Sequence, residues 1–252
     1  MREFAISNAD GGVYELNDLR NFFHEPHGLG FVRNANYVKI GDRYEISADS
    51  YEQASPTGYI CFKDEKSLSA YAKYAAFTRF LQKIPLTLYY RSDKEHRMDV
   101  VPEIVEKTEI EKPLGLNISI GFRALSTWYD VEESNGEESA DILSDSMIES
   151  PCHIMITGIL TNPIWIHEVN DIQIATGQIT GNIASGETLH IRSDTNPYQI
   201  YKVDSDGVKT DLYAASNFST ERFFVLKNGK NTISCTGATS LRVIGRVCHA
   251  TV

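Results

Sequence analysis

The chain has 252 residues, 42% hydrophobic and 23% charged, and its 24 basic and 34 acidic side chains give a formal net charge of −10. This is globular composition, which excludes collagen-like, wholly disordered and disulfide-stapled chains, and the length suits one large domain or two of about 100–150 residues. No run of about 18 apolar residues could span a membrane, and the first ten residues lack the apolar stretch of a signal peptide, so synthesis in a cytoplasm is expected.

The first half reads as a mostly antiparallel sheet with one helix. Tyr37–Ile40 and Arg43–Ile46 flank a Gly41-Asp42 turn, and Tyr59–Phe62 is a further strand. A helix is expected over residues 64–83, capped by Asp64 with Glu65 at the positive end of its dipole. Leu68, Tyr71, Ala72, Ala75 and Arg79 would form one stripe, Tyr74, Phe77 and Leu81 a second, and Pro85 ends it. Leu86–Tyr90, Met98–Val101, Pro102–Lys107 and the alternating run Leu116–Leu125 complete this half.

Residues 131–150 read as an acidic linker or loop, rich in turn formers and closed by Pro151. Between Arg123 and Arg192 there is no Lys or Arg, while eleven Asp and Glu fall there. Such a block repels phosphate, which argues against a nucleic-acid groove. It suits a solvated loop or an acidic surface set against a basic partner.

From residue 151 onward the chain reads as short strands at roughly ten-residue spacing, with tight-turn pairs at Asp206-Gly207 and Asn228-Gly229, which argues for a β-sandwich. Trp165 alternates with Ile164 and Ile166, so its side chain points opposite to theirs, a position that suits exposure or partial burial.

No nucleophile elbow, phosphate loop, dinucleotide fingerprint or metalloprotease pattern occurs. Cys61, Cys152, Cys235 and Cys248 form no close pair and read as thiols acting as small apolar residues. His24 and His27 are the one close histidine pair and lack a third ligand. Asp204–Gly207 resembles the opening of a calcium loop without its remaining ligands, and a hairpin turn explains it better. Catalytic, cofactor-binding and metal-ligating residues are therefore all assigned as none, and no cofactor is expected.

The order of features resembles the distal tail proteins (Dit) of long non-contractile-tailed phages. The resemblance runs through Gly28-Leu29-Gly30-Phe31, Leu86-Thr87-Leu88-Tyr89-Tyr90, Thr127-Trp128-Tyr129, Thr161-Asn162-Pro163, the strand from Ser185 to Ile191, and the stretch from Phe223 to Ile233. It implies a mainly β chain. Residues 1–130 would be a tail-tube-like, ring-forming β domain with one packed helix, and residues 151–252 a galectin-like β-sandwich.

It further implies a homo-hexameric ring in the virion at the tail tip, assembled in the host bacterial cytoplasm. The ring would join the tail-tube protein to the tail-tip protein and anchor receptor-binding or baseplate proteins, and the genome would pass through without specific binding. Gly28, Leu29, Gly30 and Phe31 are the candidate oligomer or partner interface. The galectin likeness concerns fold only, because His153, His167 and His190 lack the sugar-reading company of true galectins. The alternative reading is a carbohydrate-binding β-sandwich module with an accessory β domain; an enzyme of unfamiliar type ranks third.

Overall fold

The runs Thr57–Lys63 and Leu86–Arg91 of the first half alternate one buried and one wetter side chain. In the computed structural model, which describes residues 3–17, 21–63, 69–109, 115–218 and 224–249, the chain divides into two compact units, one reaching from the start to Trp128 and the other spanning Tyr129–His249. The protein is mainly β, with a single α-helix, as the sequence predicts.

The first unit contains β1 (Glu3–Ser7), β2 (Val13–Glu15), β3 (Asn21–His27), β4 (Phe31–Ile40), β5 (Arg43–Gln53), β6 (Thr57–Lys63), α1 (Ala70–Leu81), β7 (Leu86–Arg91), β8 (Glu95–Glu109) and β9 (Gly115–Ala124). Seven strands form one antiparallel sheet in the order β2-β1-β7-β8-β9-β6-β3. The period-two pattern sends Leu86, Leu88 and Tyr90 of β7, and Leu116, Ile118, Ile120 and Phe122 of β9, into one core. The two strands expected over 98–101 and 102–107 are one continuous strand. Pro102 is accommodated because the register slips between Pro102 and Ile104, leaving Glu103 as a bulge where a ladder donor is dispensable.

The helix is shorter than expected, and its described cap is Ser69, whose hydroxyl accepts from the Ala72 amide at 3.3 Å. Asp64, Glu65 and Leu68 lie outside the described residues. The buried stripe is Ala70, Lys73, Phe77 and Leu81. Of the two expected stripes the second is the inward one, and Tyr71 of the first is exposed. Phe77 meets Tyr14 at 4.8 Å and Phe62 at 5.7 Å between ring centres, so burying its ring contributes roughly 2 kcal/mol. Lys73 is buried because its ammonium donates to the Lys63 carbonyl at 2.7 Å.

The second unit holds β10 (Trp128–Gly136), β11 (Ser139–Ser144), β12 (Ser150–Thr157), β13 (Leu160–Thr161), β14 (Ile164–Val169), β15 (Ile172–Ile179), β16 (Asn182–Ile183), β17 (Thr188–Arg192), β18 (Gln199–Val203), β19 (Lys209–Asp211), β20 (Ser216–Phe218), β21 (Val225–Leu226), β22 (Gly229–Cys235) and β23 (Ser240–His249). Its two sheets run β19-β18-β17-β12-β23-β10 and β11-β22-β14-β15-β20. Ile154, Ile156, Leu189, Ile191, Leu241 and Val243 of the first sheet and Trp165, Ile179, Ile233 and Cys235 of the second share one core. Trp165 is fully buried, and exposure goes instead to Ile164. The residue opposite Trp165 in register is Gly177, which leaves room for the indole.

Residues 131–150 are not a linker. Most of them belong to β10 and β11, and three of their acids are matched by bases far along the chain. Glu133 accepts two bonds from Arg242 at 2.7 Å each, Asp141 pairs with Lys230 at 2.8 Å, and Glu149 accepts from Lys227. Asp130, buried, faces His249 at 3.1 Å. The sequence reading failed because it counted charge locally, whereas antiparallel pairing brings distant bases beside the acids. These pairs keep the carboxyls of Glu133 and Asp141 below their ordinary range, chiefly through the bonds from Arg242 and Lys230.

Asp206-Gly207 does form the tight turn expected. Asp204 Oδ1 accepts from the Asp206 amide at 3.0 Å and from that of Val208 at 2.8 Å, and Gly207 takes φ +81°. The Asn228-Gly229 turn, by contrast, joins strands that belong to different pairings, β21 with β12 and β22 with β11 and β14.

Candidate assembly interface

The four residues Gly28, Leu29, Gly30 and Phe31 lie together where β3 leaves the main sheet and β4 begins. Gly28 takes φ +73°, and a Cβ there would stand 2.1 Å from the Ser55 carbonyl oxygen, so the close approach of the two passing chains requires glycine. The Leu29 carbonyl accepts from the Trp128 indole at 3.0 Å, and the Leu29 side chain packs against the core. Gly30 presents its carbonyl to the Ala54 amide at 3.0 Å and to the Gln53 side chain. Phe31 opens β4, pairs with Gln53 and is exposed. The sequence-predicted residues are thus the anchored root of the element that follows them.

That element is the β4–β5 hairpin. Its ten cross-strand pairs run from Phe31 opposite Gln53 to Ile40 opposite Arg43, with Gly41 at φ +65° in the turn. A register slip between Asn36 and Tyr37 bulges Ser47, whose hydroxyl donates to the Asn36 carbonyl at 3.2 Å. Register puts Tyr37, Ile46, Lys39 and Tyr44 on one face near the tip and Val38, Glu45, Ile40 and Arg43 on the other. The first face is aromatic and aliphatic, yet Tyr37 is 60% exposed and Tyr44 68% exposed; Val38, Ile40 and Ile46 are also exposed. The sequence reading placed these residues in two strands of the first-half sheet, and the strands form, but as a hairpin paired only with itself among the described residues. The missed signal was that apolar residues occupy both faces, where a half-buried strand would alternate.

A second exposed apolar feature of the same unit lies on β3 and β6. Phe22, His24 and Tyr59 stack in a ladder, at 5.8 Å and 5.5 Å between ring centres, and Phe22 and Tyr59 are exposed. His24 Nδ1 lies 3.7 Å from Glu25 Oε1, so His24 of the His24–His27 pair takes part in the ring stack and in this carboxylate contact.

Among the described residues no helix is long and apolar enough to cross a membrane. Cys152, Cys235 and Cys248 are buried free thiols and Cys61 is half-buried, and burial raises the Cys152 thiol to about 12 and the Cys235 thiol to about 11, which leaves both protonated and inert.

Residues 3–125 match the family model described as distal tail protein, N-terminal domain. No curated protein sequence matches. Among solved structures, that of the phage p2 baseplate in its activated conformation with Ca shares 15% identity, covers 100% of both chains and gives a TM-score of 0.73. The same baseplate with Sr gives 0.72 at the same identity and coverage. The crystal structure of the SPP1 Dit (gp 19.1) protein, titled a paradigm of hub adsorption apparatus in Gram-positive infecting phages, gives 0.68 at 10% identity over 96% of this chain and 98% of that one. At such identities the likeness shows the fold.

Proposed function

We propose, from the match of residues 3–125 to the N-terminal domain of distal tail proteins, that this chain is a distal tail protein and that six copies close into a ring that joins the tail-tube protein to the tail-tip protein and anchors receptor-binding or baseplate proteins. Assembly takes place in the host cytoplasm, and the role is structural and non-catalytic. The observation that carries this reading is the β4–β5 hairpin. A two-stranded ribbon is marginally stable alone, and this one holds Tyr37, Val38, Ile40, Tyr44 and Ile46 in water. A neighbouring copy that covers the ribbon removes that surface from water and supports its pairing. A repeated head-to-tail contact of this kind closes into a ring when its rotation divides a full turn.

The acidic balance of the chain supports passage of a genome without binding, since phosphate adheres to a basic lumen. Gly28, Leu29, Gly30 and Phe31 act here as the hinge root that sets the direction of the hairpin.

Light scattering followed by negative-stain imaging tests the proposal. Six copies of the 28.3 kDa chain give about 170 kDa. The full chain is expected at that mass, alone or on addition of the tail-tip protein, as a ring with a central hole. Replacing Tyr37, Tyr44 and Ile46 together by Ser is expected to return it to 28.3 kDa without changing the melting of the monomer. A wild-type chain that stays monomeric under both conditions, or a triple variant that still forms rings, overturns it.

A further inference from the structure

The outer face of the first sheet of the second unit carries a row of side chains across four strands, and an open cavity at its end. His153 of β12 and His190 of β17 place ring nitrogens 2.9 Å apart. The His190 ring stacks on Tyr201 of β18 with centres 4.8 Å apart and planes 9° from parallel. Lys209 of β19 sets its ammonium 3.6 Å from the centre of the same tyrosine ring and donates to Gln199 Oε1 at 2.8 Å. This row holds Tyr201, only 9% exposed, as a rigid floor.

Beyond it opens a cavity of about 830 Å³, lined by Tyr198, Tyr201, Tyr213, Gln199, Lys209 and Asp211 among others. Tyr198 and Tyr213 are 52% and 43% exposed. Asp211 Oδ1 accepts from the Tyr213 amide at 2.8 Å, which fixes the turn that presents Tyr213.

We infer that this cavity is a binding site for a neutral pyranose saccharide. Tyr198 and Tyr213 supply exposed ring faces and hydroxyl tips over the Tyr201 floor, while Gln199, Lys209 and Asp211 supply donors and acceptors within the same cavity. That combination matches a pyranose ring, which presents C–H groups on one face and a rim of hydroxyls. A purely aliphatic ligand would cover Gln199, Lys209 and Asp211 without replacing the water they bind, which costs free energy. Lys209 and Asp211 cancel in charge, so neither an anionic nor a cationic ligand is favoured over a neutral one. The volume lies within the range of small-molecule sites and admits more than one sugar ring. The inference rests on the cavity and not on the galectin-like fold, and it is independent of ring formation.

Saturation-transfer NMR on the full chain, with methyl glycosides of glucose, galactose, N-acetylglucosamine and rhamnose as probes, tests it. At least one is expected to receive saturation on the C–H protons of one ring face, with affinity in the millimolar range usual for a single sugar. Tyr198→Ala and Tyr213→Ala are each expected to weaken it at least about fivefold with unchanged melting, since both rings are exposed. Tyr71→Ala, on the helix of the other unit, is expected to leave binding unchanged. No transfer to any of the four glycosides overturns the inference, as does transfer that survives both cavity variants. Binding of an extended apolar peptide at these tyrosines in place of sugar would also overturn it and assign the cavity to a protein partner.

Discussion

The Trp128 indole donates to the Leu29 carbonyl at 3.0 Å across ninety-nine residues of chain, tying the end of the first unit to the root of its exposed hairpin. Trp128 is fully buried and its ring lies 6.1 Å from that of Tyr90. Trp128→Phe keeps an aromatic ring but strands the carbonyl, so a loss of about 1–2 kcal/mol in urea unfolding is expected. Trp128→Ala adds a cavity and is expected to cost about 3–5 kcal/mol. If the bond also steers the hairpin, Trp128→Phe lowers the ring fraction in light scattering at concentrations where the monomer is fully folded.

Gly28 and Gly41 share a positive φ but differ in surroundings. A Cβ at Gly41 meets nothing within 4 Å, whereas one at Gly28 strikes the Ser55 carbonyl. Gly41→Ala is expected to cost about 1 kcal/mol from the left-handed backbone alone. Gly28→Ala adds the clash and is expected to exceed about 2–3 kcal/mol. Thermal melts of the two variants side by side check the order, and equal shifts would refute the crowded root.

Gly177 faces the Trp165 ring, and a Cβ there would lie 2.4 Å from it. Gly177→Ala is therefore expected to destabilise by about 2–3 kcal/mol. Trp165→Leu costs a similar amount through lost volume. The double variant is expected to lose less than the sum of the two, because the added methyl occupies space the smaller side chain leaves. Strict additivity in a denaturant cycle would count against the contact.

His153 is held well below its ordinary value near 6.5, at about 4, first by burial and then by Arg192, with smaller contributions from His190 and Arg242 against the opposing pull of Asp194. Its folded state disfavours the proton, so stability is fully present above pH 6.5 and falls as pH drops toward 4. For a half-buried ring the loss is about 1–2 kcal/mol after solvent screening. Melting temperatures across this window are expected to fall for the wild type, with a flatter profile for His153→Gln.

The architecture was legible where pattern and burial agree. The alternation in Leu86–Tyr90 and Leu116–Phe122 names core residues directly, and the Phe77–Leu81 stripe names the inward face of the helix. What one sequence conceals is partnership across distance. Glu133 and Arg242 read separately as a solvated acid and a stray base, and only pairing β10 with β23 unites them. The interface was half legible. Gly28 and Gly30 announce a constrained turn, but Tyr37 and Tyr44 have the composition of core, and only the structure shows them in water. The cavity beside Tyr201 was invisible, because Tyr198 just before β18, Tyr201 on β18 and Tyr213 in a 3-10 turn converge without any local spacing.

The pairing of early acids with late bases gives the making of the second unit a direction. Arg242 and Lys227 follow their partners by 109 and 78 residues. While the chain leaves the ribosome, residues 124–191 emerge with eleven negative charges and no positive one, so the segment repels itself and stays hydrated. β12 likewise waits for β23, which is made well after it, before both of its edges are covered. The sandwich therefore closes only once β23 has been made, and until then each copy is kept in solution by the very charges that later lock the finished one.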